Sequence, residues 1–539
     1  MGTKRCIAVL MLAVGMSPEV EGRRFFDDDP LLREPQPRRV EKAKRRKLNE
    51  YYDFFLNTFF KPGEEQPEKG PPVRARAVNT LGEAPDSAWY ENRHVRKRMS
   101  IEELVCGPGN SHAPDMDHPW KVTAGKNEGI TPGLRIEDSK GNRYLLKFDP
   151  PSNPEIASGA DVIGSKLFYA LGYHTPENYI VKFGRGQLKV SEKAKFVDAS
   201  GEERPMTERD VTEALLKVPR DQEGRYRGVA SYFLKGELIG PFRYHGVRTD
   251  DPNDIVPHEH RRDLRGLYVF AAWLNHSDSK SLNSEDSIVE EKGLRYIKHY
   301  LLDFGAILGS DSFEAKSPRA GNVYLFDLKP AAAQFFSLGL YVPAWMTARY
   351  PDMPAVGRVE SRVFQPDKWK SNYPNPAFEN SLPDDHFWAA KQVMNFSDEE
   401  IRALVETGEY SDPEVVDYIT RTLIERRDKI GKTFFAKVLP LDGFRLRDGR
   451  LEFEDLAVKY NFESPRKYKL QWSRFDNEKE TMTLLAGETD VAVPRALGNR
   501  PGENCLAAEI RGEKPEHSVT VYLRNKGGQV DVVGIDRKW

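Results

Sequence analysis

The chain has 539 residues, 39% hydrophobic and 11% aromatic, which is enough apolar material for a sizeable core spread over more than one unit. Lysine plus arginine at 81 nearly cancels aspartate plus glutamate at 83, so no global field marks nucleic acid or an anionic membrane as the partner. The three cysteines, Cys6, Cys106 and Cys505, lack CxxC or Cys/His spacing, which argues against a structural zinc cluster and leaves open whether Cys106 and Cys505 pair.

Lys4 and Arg5 precede an apolar run from Cys6 to Met16, then small and turn-forming residues around Gly15, Ser17, Pro18 and Gly22. That layout predicts a signal peptide over residues 1–22 and a secreted or periplasmic protein. The run is too short to span a bilayer and no longer one follows, so no integral membrane span is expected. Residues 23–119 read as an N-terminal extension. Within it, Arg38 to Phe60 is predicted as one helix, basic in its first half and aromatic in its second, with Tyr51, Phe55 and Phe59 on a face expected to pack on the protein. Residues 61–75 are rich in proline and glycine and read as a linker, and Pro85 to Tyr90 as a loop with an aromatic anchor.

From Trp120 the pattern turns to strands. Gly125, Gly129 and Gly133 punctuate a loop, Leu134 to Glu137 extends, Lys140-Gly141-Asn142 turns, and Tyr144 to Phe148 is a short strand carrying Lys147 among apolar neighbours. Pro154 to Leu171 is predicted as a helix, with Ile156, Ala160, Ile163 and Leu167 on one face and Gly172 past its end. It holds two acids, Glu155 in the first turn and Asp161 in the middle. Asn178 to Phe183 and Val229 to Leu234 read as further strands, and the charged stretch 184–226 between them as an insertion with a helix near Glu208 to Lys217. His258 to Asp263 is expected to be a solvated helix start leading into a buried helix that ends at Leu274.

That helix delivers Asn275-His276-Ser277-Asp278-Ser279-Lys280-Ser281-Leu282-Asn283. Asp278 and Asn283 stand five apart, with Lys280 between them and His276 two before the aspartate. A predicted hairpin, Ser287 to Val289 and Arg295 to Leu302, then leads to Asp303-Phe304-Gly305. Phosphoryl transfer needs an aspartate to orient the acceptor hydroxyl and oxygen ligands for a divalent cation, and these residue types supply both. Farther on, helices are predicted near Asp384, at Ser397 with Glu400 as a capping box, and from Asp412-Pro413 to about Lys429. Alternation from Leu439 onward predicts a β-rich end.

Over roughly residues 120–435 these motifs resemble the protein-kinase-like superfamily, nearer in layout to HipA-type and phosphoinositide kinases than to typical eukaryotic protein kinases. The resemblance implies an α+β fold: a bilobal core with an N-lobe at about 120–240 and a C-lobe at about 241–435, an N-terminal extension, and an all-β appendage over 436–539. It implies ATP with magnesium or manganese as cofactors and a hydroxyl acceptor on a protein Ser/Thr, a glycan or a lipid head group, with nucleic acid not expected as a partner. Asp278, Lys280 and His276 would be catalytic, and Asn283 and Asp303 would hold the metal. Lys147 would meet the nucleotide phosphates, paired with Asp161 or Glu155, under a hairpin containing Gly125 and Gly129, although an ordinary hairpin accounts for those glycines equally well. The chain departs from the pattern in lacking Ala-Pro-Glu and in carrying Ser277 where many protein kinases have arginine. A binding module without turnover, or AMP transfer on the same scaffold, are the alternative readings.

Overall fold

A computed structural model describes residues 23–126, 133–197, 202–328, 342–485, 489–498 and 504–539, with positions 332, 336, 337, 340 and 487 between them. The predicted signal peptide over 1–22 and Gly129 lie outside the described residues. The fold is mixed α/β. Its first sheet contains β1 (Trp120–Lys126), β2 (Gly133–Glu137), β3 (Arg143–Phe148), β4 (Asn178–Phe183), β5 (Leu188–Val197), β6 (Glu203–Pro205) and β7 (Tyr226–Tyr232), in the order β4-β7-β3-β2-β1-β5-β6. Pairing is antiparallel except for β1 with β5. Tyr144, Leu146 and Phe148 alternate onto the buried face of β3, which leaves Lys147 on the other face. The helix after β3, Ile156–Ala170, is buried along nearly its whole length.

The helical part is built round Arg262–Leu274, with Pro383–Val393 and Pro413–Phe435 packed on it. We number the helices α1 (Glu50–Phe59), α2 (Ile101–Cys106), α3 (Ile156–Ala170), α4 (Glu208–Leu215), α5 (Arg262–Leu274), α6 (Pro383–Val393), α7 (Asp398–Glu406) and α8 (Pro413–Phe435). Leu267, Phe270, Trp273, Trp388 and Phe434 fill the core between them. In a three-stranded sheet of order β10-β9-β8, β8 (Glu237–Gly240) precedes the 275–283 loop, β9 (Ser284–Glu291) starts at its end, and β10 (Leu294–Leu301) hands the chain on to Asp303. Residues 441–538 form the hairpin β11 (Leu441–Arg447) and β12 (Arg450–Asp455), a short helical turn, and a five-stranded antiparallel sheet. The N-terminal extension is a belt on this body. Phe25 is buried against Phe475 and Tyr522 at 5.8 and 5.1 Å between ring centroids, and Trp89 stacks on His299 at 3.5 Å. Cys106 and Cys505 are both free.

Three expectations are corrected here. Residues 38–49 do not extend α1 but run along the β8–β10 sheet, with the Val40 amide donating to Arg295 O at 2.8 Å and the Arg46 amide to Ile239 O at 2.7 Å. Cations crowded at helical spacing repel one another, whereas a strand edge offers free hydrogen-bonding groups and an apolar seat for Val40. The helix starts only where the Asn49 side chain caps the Tyr52 amide. Second, Tyr51, Phe55 and Phe59 are exposed, not packed, while Asp53 and Asn57 are the buried side of α1. Third, His258 to Asp263 is buried and paired: His258 with Asp254 at 2.8 Å and Arg261 with Asp263 at 2.9 Å nearby in the chain, and His260 with Glu64 at 2.7 Å and Arg262 with Asp384 at 2.9 Å across the fold. The run reads as solvated in the sequence because Glu64 and Asp384 lie far from it.

The α5–α6 crossing depends on close approach. A Cβ built on Gly266 would stand 2.4 Å from Cζ3 of Trp388, a ring with only 1% of its surface exposed. Alanine would add about 1 kcal/mol of helix propensity, but the ring cannot retreat and overpacking costs roughly 1–3 kcal/mol. Gly266→Ala therefore lowers the urea midpoint, and a midpoint equal to or above that of the natural chain would show that the crossing has slack.

Candidate functional site

The cleft residues are positioned by the ends of these elements. β3 aims Lys147 at α3, where its Nζ donates to Asp161 Oδ2 at 2.9 Å and, from the other side, to Asp303 Oδ1 at 2.9 Å. Asp161 is almost fully buried, and its Oδ1 also accepts from Asn178 Nδ2 at 3.0 Å and from the Phe304 amide at 3.2 Å. Asp303 itself sits in the left-handed region at φ 60°, a conformation aspartate tolerates better than most residues. The following Phe304 is locked by stacking on Phe168 of α3 at 5.0 Å. Burial pulls the Lys147 ammonium down, but the two carboxylates outweigh it and hold its pKa above the ordinary lysine value. The Lys147 charge in turn holds Asp303 below the usual carboxylate range.

Glu155, the other acid considered for Lys147, turns away. It lies at the left-handed N-cap of α3 and accepts from the Ser411 amide at 2.9 Å. Gly125 is packed into the first sheet, where an added Cβ would meet Met206 at 2.9 Å and Leu134 at 3.1 Å.

The 275–283 loop forms the second half of the site. Asn275 caps α5 in the left-handed region, and its Oδ1 accepts from Trp369 Nε1 at 3.0 Å. Asp278 Oδ2 accepts from Asn283 Nδ2 at 2.9 Å, while Oδ1 accepts from Asn372 Nδ2 at 3.1 Å and faces Lys280 Nζ at 3.1 Å. Lys280 is also ion-paired with Glu50 of α1. Burial depresses the Lys280 pKa less than Asp278 and Glu50 raise it, so the ammonium is held charged. Asn283 joins the two halves directly, its carbonyl accepting from the Leu302 amide at 2.9 Å, one residue before Asp303. His276, placed among the catalytic residues by its motif position, is instead buried beneath the loop against Phe168 and Phe304, and burial lowers its pKa to about 4. It is a neutral packing residue at physiological pH.

Four contributors were not read from the sequence. Asn178, Asn372 and Glu50 hold site side chains from distant elements. The fourth, Lys316, is buried, with its Nζ donating to Ser277 Oγ at 2.8 Å and Ala306 O at 2.7 Å. Burial lowers its pKa to about 8, and it ties the chain after Asp303 to the 275–283 loop. None of these stands at a motif spacing, and a buried lysine bonded to neutral oxygens leaves no local signal.

Asp303, with 46% of its side chain exposed, and the buried Asn283 amide supply hard oxygen donors suited to magnesium or manganese. Among the described residues no group of three His, Cys, Asp or Glu is arranged to hold a metal. Two protein oxygens with nucleotide phosphates and water completing the shell is the arrangement magnesium favours, so the residues fit such an ion.

No family model matches the chain, and no curated protein matches it. Among solved structures it is similar to a Helicobacter pylori proinflammatory kinase, CtkA, at 9% identity and a TM-score of 0.30, covering 60% of this chain and 96% of that one. It is also similar to a Golgi casein kinase with Mn/ADP bound, at 8% identity and a TM-score of 0.28, covering 65% of this chain and 83% of the other. Likeness at this level carries no argument about this chain's chemistry, which rests on the geometry above.

Proposed function

We propose that this protein is a kinase-like phosphotransferase, in which a bilobal core over roughly 120–435 transfers the γ-phosphoryl group of ATP to a hydroxyl acceptor. The observation that carries this reading is Lys147, bridging Asp161 and Asp303 at 2.9 Å each. A strand lysine held by a helix acid beside a cleft aspartate is what positioning of nucleotide phosphates requires, and it is costly to build for packing alone.

In this reading Lys147 keeps Asp161 and exchanges Asp303 for the α- and β-phosphates. Asp303 and Asn283 are the oxygens that hold the divalent cation. Magnesium or manganese there supplies positive charge against the phosphate oxygens. Asp278 orients the acceptor hydroxyl and takes its proton as the new O–P bond forms and the bond to the ADP oxygen breaks. Lys280 offers its ammonium to the transferred group. His276 takes no proton-transfer role, since it is buried and neutral.

With ATP and magnesium at a hundredfold excess over Kd, ligand binding to the native state adds about 2.7 kcal/mol of stability, read as a rise in the thermal midpoint. The rise disappears in Asp303→Asn; a variant that keeps it removes the metal assignment. Asp161→Asn weakens nucleotide binding at least about tenfold, as loss of a charge-assisted hydrogen bond predicts, whereas Glu155→Gln leaves it unchanged. The reverse pattern in a titration would return the lysine partner to Glu155. In Asp278→Asn, turnover falls about 10²- to 10⁴-fold while nucleotide affinity stays put; a matching loss of affinity would place Asp278 in binding.

A further inference from the structure

Helix α1 is docked inside out. Its most deeply buried side chains are polar: Asp53 and Asn57 are each 4% exposed, Tyr373 Oη donates to Asp53 Oδ2 at 2.8 Å, and Asn57 Nδ2 donates to Asp53 O at 2.8 Å, with the half-buried Phe54 edge-on to Tyr373 at 5.6 Å. Its outer side is aromatic, with Tyr51 at 85%, Tyr52 at 60%, Phe55 at 52% and Phe60 at 67% exposure. A surface helix ordinarily shows the opposite arrangement. The rings are clustered, with Phe55 4.9 Å from Phe59 and 5.8 Å from Phe60. The patch continues across a chain crossing: Phe59 meets Phe326 at 5.1 Å, and Leu325 and Leu328 beside it are also exposed. A contiguous apolar patch of this kind marks an interaction site.

The charge beside the patch selects the partner. The segment leading into α1 is pinned by its backbone to the β8–β10 sheet, and the side chains of Lys42, Lys44, Arg45 and Lys47 are exposed. The chain as a whole carries a net charge of −2, so this cationic stretch is a local feature. We propose that the aromatic face of α1, with the basic segment 42–47, is a docking surface for an anionic lipid bilayer. Aromatic rings and leucines enter the headgroup and acyl boundary while lysines and arginine stay with anionic headgroups. Single-stranded nucleic acid would use the rings but has no use for Leu325 and Leu328, which offer no face for base stacking. The surface adjoins the site through Glu50, the first residue of α1, paired with Lys280.

The test is cosedimentation of the full chain with vesicles of phosphatidylcholine alone and with roughly 30% phosphatidylserine, at low and high salt. Binding is expected to the anionic vesicles at least about tenfold more tightly than to the neutral ones, and to weaken with salt. Phe55→Ser with Phe59→Ser, and separately Lys44→Glu with Lys47→Glu, each reduce it about tenfold or more. Lys44 and Lys47 are exposed, so the thermal midpoint of that variant stays unchanged, whereas Phe59 touches Phe326 and the serine pair is therefore measured well below its own midpoint; the vesicle measurement does not depend on the phosphotransferase reading. Absence of binding, equal binding to both vesicles, or variants that bind normally would overturn the proposal. So would tighter binding to oligo-dT than to anionic vesicles, which would assign the face to nucleic acid. A dimer abolished by the two serines would assign it to a second copy.

Discussion

The ammonium of Lys147 is the constraint on which the site depends. Withdrawing a lysine from water costs several kcal/mol unless opposite charge meets it at close range. Here Asp161 and Asp303 both do so, at 2.9 Å. The compensation requires three stretches far apart in sequence to converge within hydrogen-bonding distance: β3, α3 and the residues after β10. Asp161 extends the knot further, since its second oxygen fixes Asn178 at the start of β4 and the amide of Phe304. Removing one carboxylate would leave the other members with unmatched charge, so the geometry is held cooperatively. Asp303 is the exposed member, with 46% of its side chain open, and is therefore the one free to exchange partners.

The 275–283 loop is held by different physics. Below it, His276 is neutral and packed between aromatic rings, and Asn275 closes α5 in a left-handed turn bonded to Trp369. At its side, the Lys316 ammonium bonds only neutral oxygens, which is why burial lowers its pKa to about 8 while Lys147 moves the other way. The same residue type is thus shifted in opposite directions in one site, and the number of carboxylates in contact decides the sign. Lys316 links Ala306, after Asp303, to Ser277 through two neutral oxygens.

What was legible in the sequence follows the range of the interactions. Strands β3 and β4, helix α5 and the hairpin into Asp303 were readable because alternation, helical spacing and turn residues act over a few positions. Lys147 and Asp161 were readable as members of periodic elements, though choosing Asp161 over Glu155 took the fold. In 38–49 and in His258 to Asp263, charged residues were judged from their neighbours in sequence, whereas their placement was decided in part by partners on other elements. Arg262 finds Asp384, and the Arg46 backbone finds Ile239. No local pattern encodes such pairings.

Helix α1 shows the same principle in reverse. An amphipathic helix usually gains its place by burying apolar area, and its polar side costs nothing in water. Here Asp53 and Asn57 are inside, so the docking combines the Tyr373 hydrogen bond to Asp53 with edge-on packing of Phe54 on the same ring, the burial of Asp53 raising its pKa while Tyr373 and Asn57 oppose the shift. Hydrogen bonds of this kind contribute only about 1 kcal/mol each net of what water would supply. They nevertheless fix direction more narrowly than apolar contact does, because donor and acceptor must align. The consequence is a helix held in a defined orientation by weak but directional contacts, with Glu50 at Lys280 on its inner edge and its aromatic rings outside. Anything that covers those rings bears on the helix whose Glu50 pairs with Lys280, itself 3.1 Å from Asp278, so that ion pair joins the outer surface to the 275–283 loop.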